Sequence, residues 1–314
     1  MSYYDEEFRL WEIIDGKCVV ADEAEWANVK KFHRDSRKCK CCRTGCDGGD
    51  PKDCELYGLP RPIVKVTTDI FENVEGPVVD RSAFKLLEWD WDQVDGDGLV
   101  SKDYPLTCFF QITDSTPHVD YLIVTRHPEL VREKWPVDII GDENSGPSPE
   151  YCRNRPNVIL AAYVETQSDI ERLVPDLIKC RDLCKGLAVV CNPKEELDFN
   201  FKPLLEKPEG YTNFAIEYLN LIIADGNEHP IHPDWLRSLR DQCRAARVPF
   251  NFAGWGSYIP SSCIPPCPDT GHYLWPWKNQ ADETMMLSID AELSGRLLDG
   301  IEHNGVLEVR HGGG

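Results

Sequence analysis

The densest chemistry in this chain lies between Lys30 and Cys46, where Cys39, Cys41, Cys42 and Cys46 stand among seven basic residues: Lys30, Lys31, Arg34, Arg37, Lys38, Lys40 and Arg43. Cys54 follows after a short acidic, glycine-rich link. Thiolate is the ligand form of cysteine, and nearby positive charge favours it. Cys39-x2-Cys42-x3-Cys46-x7-Cys54 supplies four thiolates for a tetrahedral zinc, which would tie down a segment with little core of its own. Other constellations are weaker. Cys263-x3-Cys267 with His272 offers three ligands on a proline-stiffened stretch and reads better as a packed loop. Asp95-Gly96-Asp97-Gly98 imitates the middle of a calcium loop, but Tyr104 stands where the twelfth-position Glu belongs and Pro105 follows, so a polar turn fits better. Cys180 and Cys184, expected one helical turn apart, and the scattered Cys18, Cys108, Cys152, Cys191 and Cys243 read as thiols without chemistry.

A second set of candidates follows short apolar runs. Asp69, Thr125, Arg126, Glu165, Asn192, Asp225 and Trp255 come after the runs 62–68, 118–125, 157–164, 187–191, 219–224 and 248–252. Most of these runs are near-continuously apolar, as strands of a parallel sheet covered on both faces must be. Helical spacing separates several of them. Residues 168–184 place Ile170, Leu173, Leu177, Ile178 and Leu183 on one stripe; 233–246 opens with Pro233 and aligns Trp235, Leu236, Leu239 and Cys243; 128–134 is a shorter candidate. Strand and helix in alternation predict an α/β fold, a partial (β/α) barrel of about six parallel strands, with a doubly wound open sheet as the competitor. In a barrel the groups that do chemistry sit at the C-terminal ends of strands. That places Asp69, Arg126 and Glu165 as catalytic candidates and Asn192 and Asp225 as cofactor-binding candidates, all expected to line one mouth. The guanidinium fork of Arg126 suits a carboxylate or phosphate.

The expected organisation is an N-terminal Cys-rich segment over 1–60, a barrel-like domain over 61–256 with an insertion near 84–117, and a C-terminal extension over 257–314. Residues 142–156 and 257–280 read as irregular, and the last seven residues as a disordered tail. The 314 residues carry a net charge of −20, which argues against broad nucleic-acid binding and leaves a small molecule or a partner protein. The first residues are acidic with no apolar run, and no stretch reaches the roughly 20 apolar residues of a membrane span, so a cytoplasmic protein with reduced thiols is expected.

Motifs in preserved order give a further expectation. His232–Cys243 followed by Val248–Gly256, then Gly295-Arg296-Leu297-Leu298-Asp299-Gly300, resemble the last helix, last strand and terminal signature of the phage-associated three-cysteine-motif proteins, a group related to radical S-adenosylmethionine enzymes. Upstream, Thr68–Glu72, Val124–Glu129, Pro156–Leu160 and Val164–Gln167 are similar to that family's strand-end motifs, so the resemblance covers roughly residues 39–300. It implies a [4Fe-4S] cluster held by Cys39, Cys46 and Cys54, with one iron open to S-adenosylmethionine. The departures are specific. Gly49 stands at the family's third cysteine, Cys191-Asn192-Pro193 replaces Cys-Glu-Pro, Ala224-Asp225-Gly226-Asn227 shortens Gly-Gly-Glu-Ser-Gly, and Ala253-Gly254 replaces Lys-Gln. The expected function is a divergent radical S-adenosylmethionine-like protein. The alternative is a non-catalytic, zinc-stabilised interaction scaffold of the same fold.

Overall fold

A computed structural model describes residues 6–8, 11–14, 17–20, 63–66, 68–72, 109–110, 113, 119–135, 154–200, 214–226, 229–261, 276–278, 285–288 and 294–307. The chain divides into two compact units, one built on Tyr4–Ile159 with Asp182–Lys185, the other on Leu160–Arg181 and Gly186–Gly314.

The first unit holds β1 (Glu6–Phe8), the antiparallel pair β2 (Trp11–Ile14) and β3 (Lys17–Val20), β4 (Ile63–Val66), β5 (Asp120–Thr125), a short helix α1 (Val131–Lys134) and the start of β6 (Arg155–Val164). β1 pairs parallel with β4, Glu6 opposite Val64, and β4 parallel with β5, Ile63 opposite Asp120. Every β5 residue but Val124 is buried, the signature of a strand covered on both faces. An aromatic cluster fills this core: Phe109 meets Tyr121 edge-on at 5.7 Å, and Phe110 tilts against Trp135 at 4.8 Å. The buried Arg155 guanidinium lies 4.7 Å from the Phe110 ring centre and 5.5 Å from that of Trp135, so the rings' negative faces stabilise its charge. Asp120, also buried, pairs with Lys185.

The second unit continues β6 and adds α2 (Gln167–Ile178), β7 (Cys184–Cys191), β8 (Leu221–Asp225), α3 (Pro233–Ala246), β9 (Phe250–Gly254), β10 (Tyr258–Pro260), β11 (Pro276–Lys278), β12 (Met285–Ser288), β13 (Leu297–Leu298) and β14 (Ile301–Glu302). β7, β8 and β9 are parallel neighbours. α2 begins with a capping box: the Thr166 hydroxyl accepts from Asp169 N–H at 3.2 Å, while the Asp169 carboxylate accepts from Thr166 N–H at 3.1 Å. α3 begins at Pro233 behind His232, whose Nδ1 accepts from Asp234 N–H at 3.1 Å. It ends where Arg247 turns left-handed at φ 57°.

The main sheet runs β1-β4-β5-β6-β7-β8-β9. Its six strands β4 to β9 are the six apolar runs, and they form a parallel sheet curled into part of a β/α barrel. β1 was not foreseen, because a three-residue strand with two glutamates has no apolar signature. α2 stops six residues short of the expected end: Cys180 lies in the turn after it, its N–H bonded to Leu177 O at 2.9 Å, and Cys184 opens β7. The two cysteines, both buried, are therefore not one helical turn apart. The stretch expected to be irregular contains β10 and β11, which flank β12 in a small antiparallel sheet. Pro260 and Pro276 lie on its two outer strands, where a missing N–H is tolerated. Most of the 84–117 insertion and the tail from Glu308 fall outside the described residues.

Candidate functional site

The expected strand-end residues form two groups, one in each unit. In the first unit Asp69 follows β4 and reaches the end of β5. Its Oδ1 accepts from the Thr125 hydroxyl at 2.7 Å and from Phe71 N–H at 3.2 Å, and its Oδ2 accepts from Arg126 N–H at 2.7 Å. Thr125 in turn accepts from His127 N–H at 2.9 Å. The Lys134 ammonium donates to the Phe71 and Glu72 carbonyls at 2.7 and 3.0 Å, fixing the same loop from α1. With three donors on one carboxylate, Asp69 ties the β4 and β5 ends together. Arg126 stands beside it, exposed.

In the second unit the ends of β6 and β7 bring four polar side chains into a chain. Lys194 Nζ lies 3.1 Å from Glu165 Oε2, the Tyr163 hydroxyl donates to Glu165 Oε1 at 3.4 Å, and Asn192 Nδ2 donates to the Tyr163 oxygen at 3.3 Å. Backbone bonds hold the pieces in place: Asn192 N–H to Val164 O at 2.9 Å and Lys194 N–H to Glu165 O at 2.8 Å. Asn192 is 1% exposed, and its Oδ1 has no hydrogen-bond partner among the described residues. Turning the amide over would move the deficit to Nδ2 rather than remove it, since a hydroxyl can serve either end. A buried amide left half-satisfied costs about 1–3 kcal/mol, and a group that donates to it recovers that energy.

The Glu165 turn is braced from below. Burial pushes the Asp169 carboxyl up, but the Glu165 and Thr166 N–H groups, the Thr166 hydroxyl and nearby Arg172 outweigh it and hold the group below its ordinary range.

At the ends of β8 and β9 a register shift falls between Ala224 and Asp225, which faces Gly254. Gly226 N–H donates to Gly254 O at 2.8 Å. A Cβ on Gly226 would come within 2.6 Å of that oxygen and closer still to the Trp255 carbonyl, so only glycine lets the two strand ends meet. Trp255 does not line a mouth. It is buried edge-on against Phe252, and its indole N–H donates to Leu297 O at 2.9 Å.

Tyr163 is the residue the sequence reading missed. It sits inside an apolar run, where an aromatic is ordinarily core. The available signal was its hydroxyl, two positions before Glu165 and so on the same strand face. Cys191 and Cys243 are both buried: burial, then the neighbouring Cys243, raises Cys191, and burial pushes Cys243 up to about 12.

Cys39, Cys42, Cys46 and Cys54 lie outside the described residues, as do Cys263, Cys267, His272 and the 95–98 turn. Among the described residues no three His, Cys, Asp or Glu side chains gather to hold a metal ion, and no helix is long and apolar enough to cross a membrane.

A family model described as a protein of unknown function, DUF5131, matches residues 99–306, about two thirds of the 314-residue chain. The chain belongs to the DUF5131 family. No curated protein and no solved structure matches it. The matched span of this DUF5131 protein takes in β5 through β14, and with them Arg126, Glu165, Asn192 and Asp225. Asp69, β4 and the N-terminal cysteines precede it.

Proposed function

We propose that this DUF5131 protein binds a small polar ligand at the C-terminal ends of β6 to β8, as a divergent radical S-adenosylmethionine-like protein. The observation that carries the reading is the chain Lys194–Glu165–Tyr163–Asn192, which ends in a buried acceptor with no hydrogen-bond partner among the described residues, at the end of a barrel strand where ligands bind. Glu165 is already neutralised by Lys194, so the chain offers its ligand hydrogen bonds rather than net charge. Asn192 accepts a donor from the ligand, and the Tyr163 hydroxyl, between Asn192 and Glu165, links that acceptor to the carboxylate. Asp169 fixes the backbone of the Glu165 turn, and Gly226 holds the β8 end against β9.

The donor set in the N-terminal segment suits an iron site, since its thiols stand among basic residues that favour thiolate. Cys39, Cys46 and Cys54 would hold a [4Fe-4S] cluster, which supplies the electron for reductive cleavage of the sulfonium carbon–sulfur bond of S-adenosylmethionine. A second reading, a zinc-stabilised interaction scaffold using Cys39, Cys42, Cys46 and Cys54, draws support from Asp69, whose carboxylate already accepts three structural hydrogen bonds.

Metal content and the visible spectrum of protein purified without oxygen separate the two. About four irons per chain with a chromophore bleached by dithionite supports the first reading. One zinc and no colour supports the scaffold. Neither metal, even after reconstitution, sinks both.

A further inference from the structure

Five buried side-chain nitrogen or oxygen atoms among the described residues have no hydrogen-bond partner, and three of them lie along one seam. They are Asn251 Oδ1 on β9, and Arg296 Nη1 and His303 Nε2 on the segment 294–307 that covers it. Asn251 is 2% exposed, and its orientation is fixed because Nδ2 donates to Gly305 O at 3.1 Å. Arg296 spends Nε on Phe252 O at 3.3 Å and Nη2 on Asn304 Oδ1 at 3.0 Å. Backbone and side-chain hydrogen bonds cross the seam. The backbone contributes Phe252 N–H to His303 O and Gly305 N–H to Phe250 O, both 2.9 Å, and Trp255 N–H to Gly295 O at 3.3 Å. The strap carries little apolar anchorage. Leu298 is buried, but Ile301 and Val306 are 59% and 62% exposed.

The strap is fastened by charge instead. Asp299, at the turn between β13 and β14, accepts from Arg237 Nη2 at 2.6 Å and from Arg240 Nη1 at 2.9 Å, both on α3. It also reaches the candidate site. Trp255 gives its backbone N–H to Gly295 and its indole N–H to Leu297, and the carbonyl next to it, Gly254 O, holds Gly226 beside Asp225.

We propose that residues 294–307 are a releasable latch on the β8–β9 end of the ligand site. A seam with three unmet polar atoms and few apolar contacts opens more readily than the strands it covers, because solvent satisfies those atoms once the seam parts. Opening frees Trp255 and with it the Gly254–Gly226 bond, so the end of β8 loosens when the strap leaves. Closure over a bound ligand is the reverse step. The latch deepens the ligand-site reading and rests on it for its purpose, although its motion is a property of the chain alone.

Native-state hydrogen exchange on the full, ligand-free chain tests it. The Phe252, Trp255, Gly305 and Gly226 amides should exchange as one group, about tenfold or more faster than those of Ile222 and Asn192. Asp299→Ala should accelerate that group alone, by about fivefold. Strap amides exchanging at the rate of Ile222, or an Asp299→Ala effect spread over all strands, would overturn the proposal. So would a fast strap with Gly226 left at the core rate, since the strap would then not reach the site. No ligand enters this experiment, so failure of the ligand reading shows separately, in the metal and binding measurements.

Discussion

Replacing Gly226 by alanine is the sharpest test of how the β8 and β9 ends are held. The new Cβ would lie 2.6 Å from Gly254 O and nearer to the Trp255 carbonyl, where ordinary contact needs 3.4 Å or more. The obstacle is backbone, so no rotamer change relieves it. The end of β9 and Trp255 must move away by more than an ångström, at a cost of about 1–3 kcal/mol for overpacking. The Gly226–Gly254 hydrogen bond is lost with it, a further 1 kcal/mol or so. The expected destabilisation is about 2–4 kcal/mol, read as a lower urea midpoint at unchanged slope. Gly295→Ala is the matched control. Gly295 has φ 74° but nothing within 4 Å of its Cβ position, so it should lose only the left-handed penalty of about 1–2 kcal/mol. A Gly226→Ala protein no less stable than Gly295→Ala would refute the close approach as the reason for glycine here.

Other outcomes follow from the same geometry. Asn192→Leu removes a half-satisfied buried amide, so thermal stability should hold or rise while binding of S-adenosylmethionine, followed by equilibrium dialysis, is lost; a large fall in stability would mean the amide is structural. Asp69→Ala strips the acceptor from Thr125, Phe71 and Arg126 and should cost about 1–3 kcal/mol in denaturant unfolding. Asp169→Ala, which removes the capping-box carboxylate, should cost about 1 kcal/mol, and an unchanged midpoint would contradict the role given to it. Lowered pH should loosen the strap. The Arg237 bond, against burial and with help from Arg240, holds Asp299 below its ordinary 3.8. Its contribution is therefore complete above that value and disappears as pH falls through the lower folded one. His303 acts earlier. Burial, then Arg240, keeps it below 6.5 against the Leu298 carbonyl and Asp299, so below about that pH the unfolded chain binds more protons and stability declines. Strap amides whose exchange does not depend on pH, once intrinsic rates are divided out, would contradict both.

The six barrel strands were legible because burial on both faces forces continuous apolar runs, and α3 was legible because Pro233 and the Trp235–Leu239–Cys243 stripe mark its start and face. What escaped was set by partners rather than by local pattern. β1 is a strand because Val64 and its neighbours are there to pair with it. Residues 179–183 continue an apolar stripe yet leave the helix, because Arg155 N–H takes the Leu183 carbonyl at 2.8 Å. In the site, Glu165 and Asn192 were found by their position after strands, while Tyr163 stayed hidden among apolar neighbours. Asp69 was located correctly, but its three bonds, visible only with β5 beside β4, show a tie.

The strap also has a consequence for synthesis. β9 is complete at Gly254, but the segment that pairs with its outer edge, at His303 and Gly305, emerges roughly fifty residues later. At about 5–20 residues per second, that leaves the edge without its partner for several seconds on each nascent chain. Gly305 lies so close that a Cβ there would sit 2.6 Å from Phe250 N, which makes the late-arriving segment a close-fitting cover for that edge. Until it arrives, chains translated side by side on one message present each other with a free β-edge, the geometry from which intermolecular pairing starts.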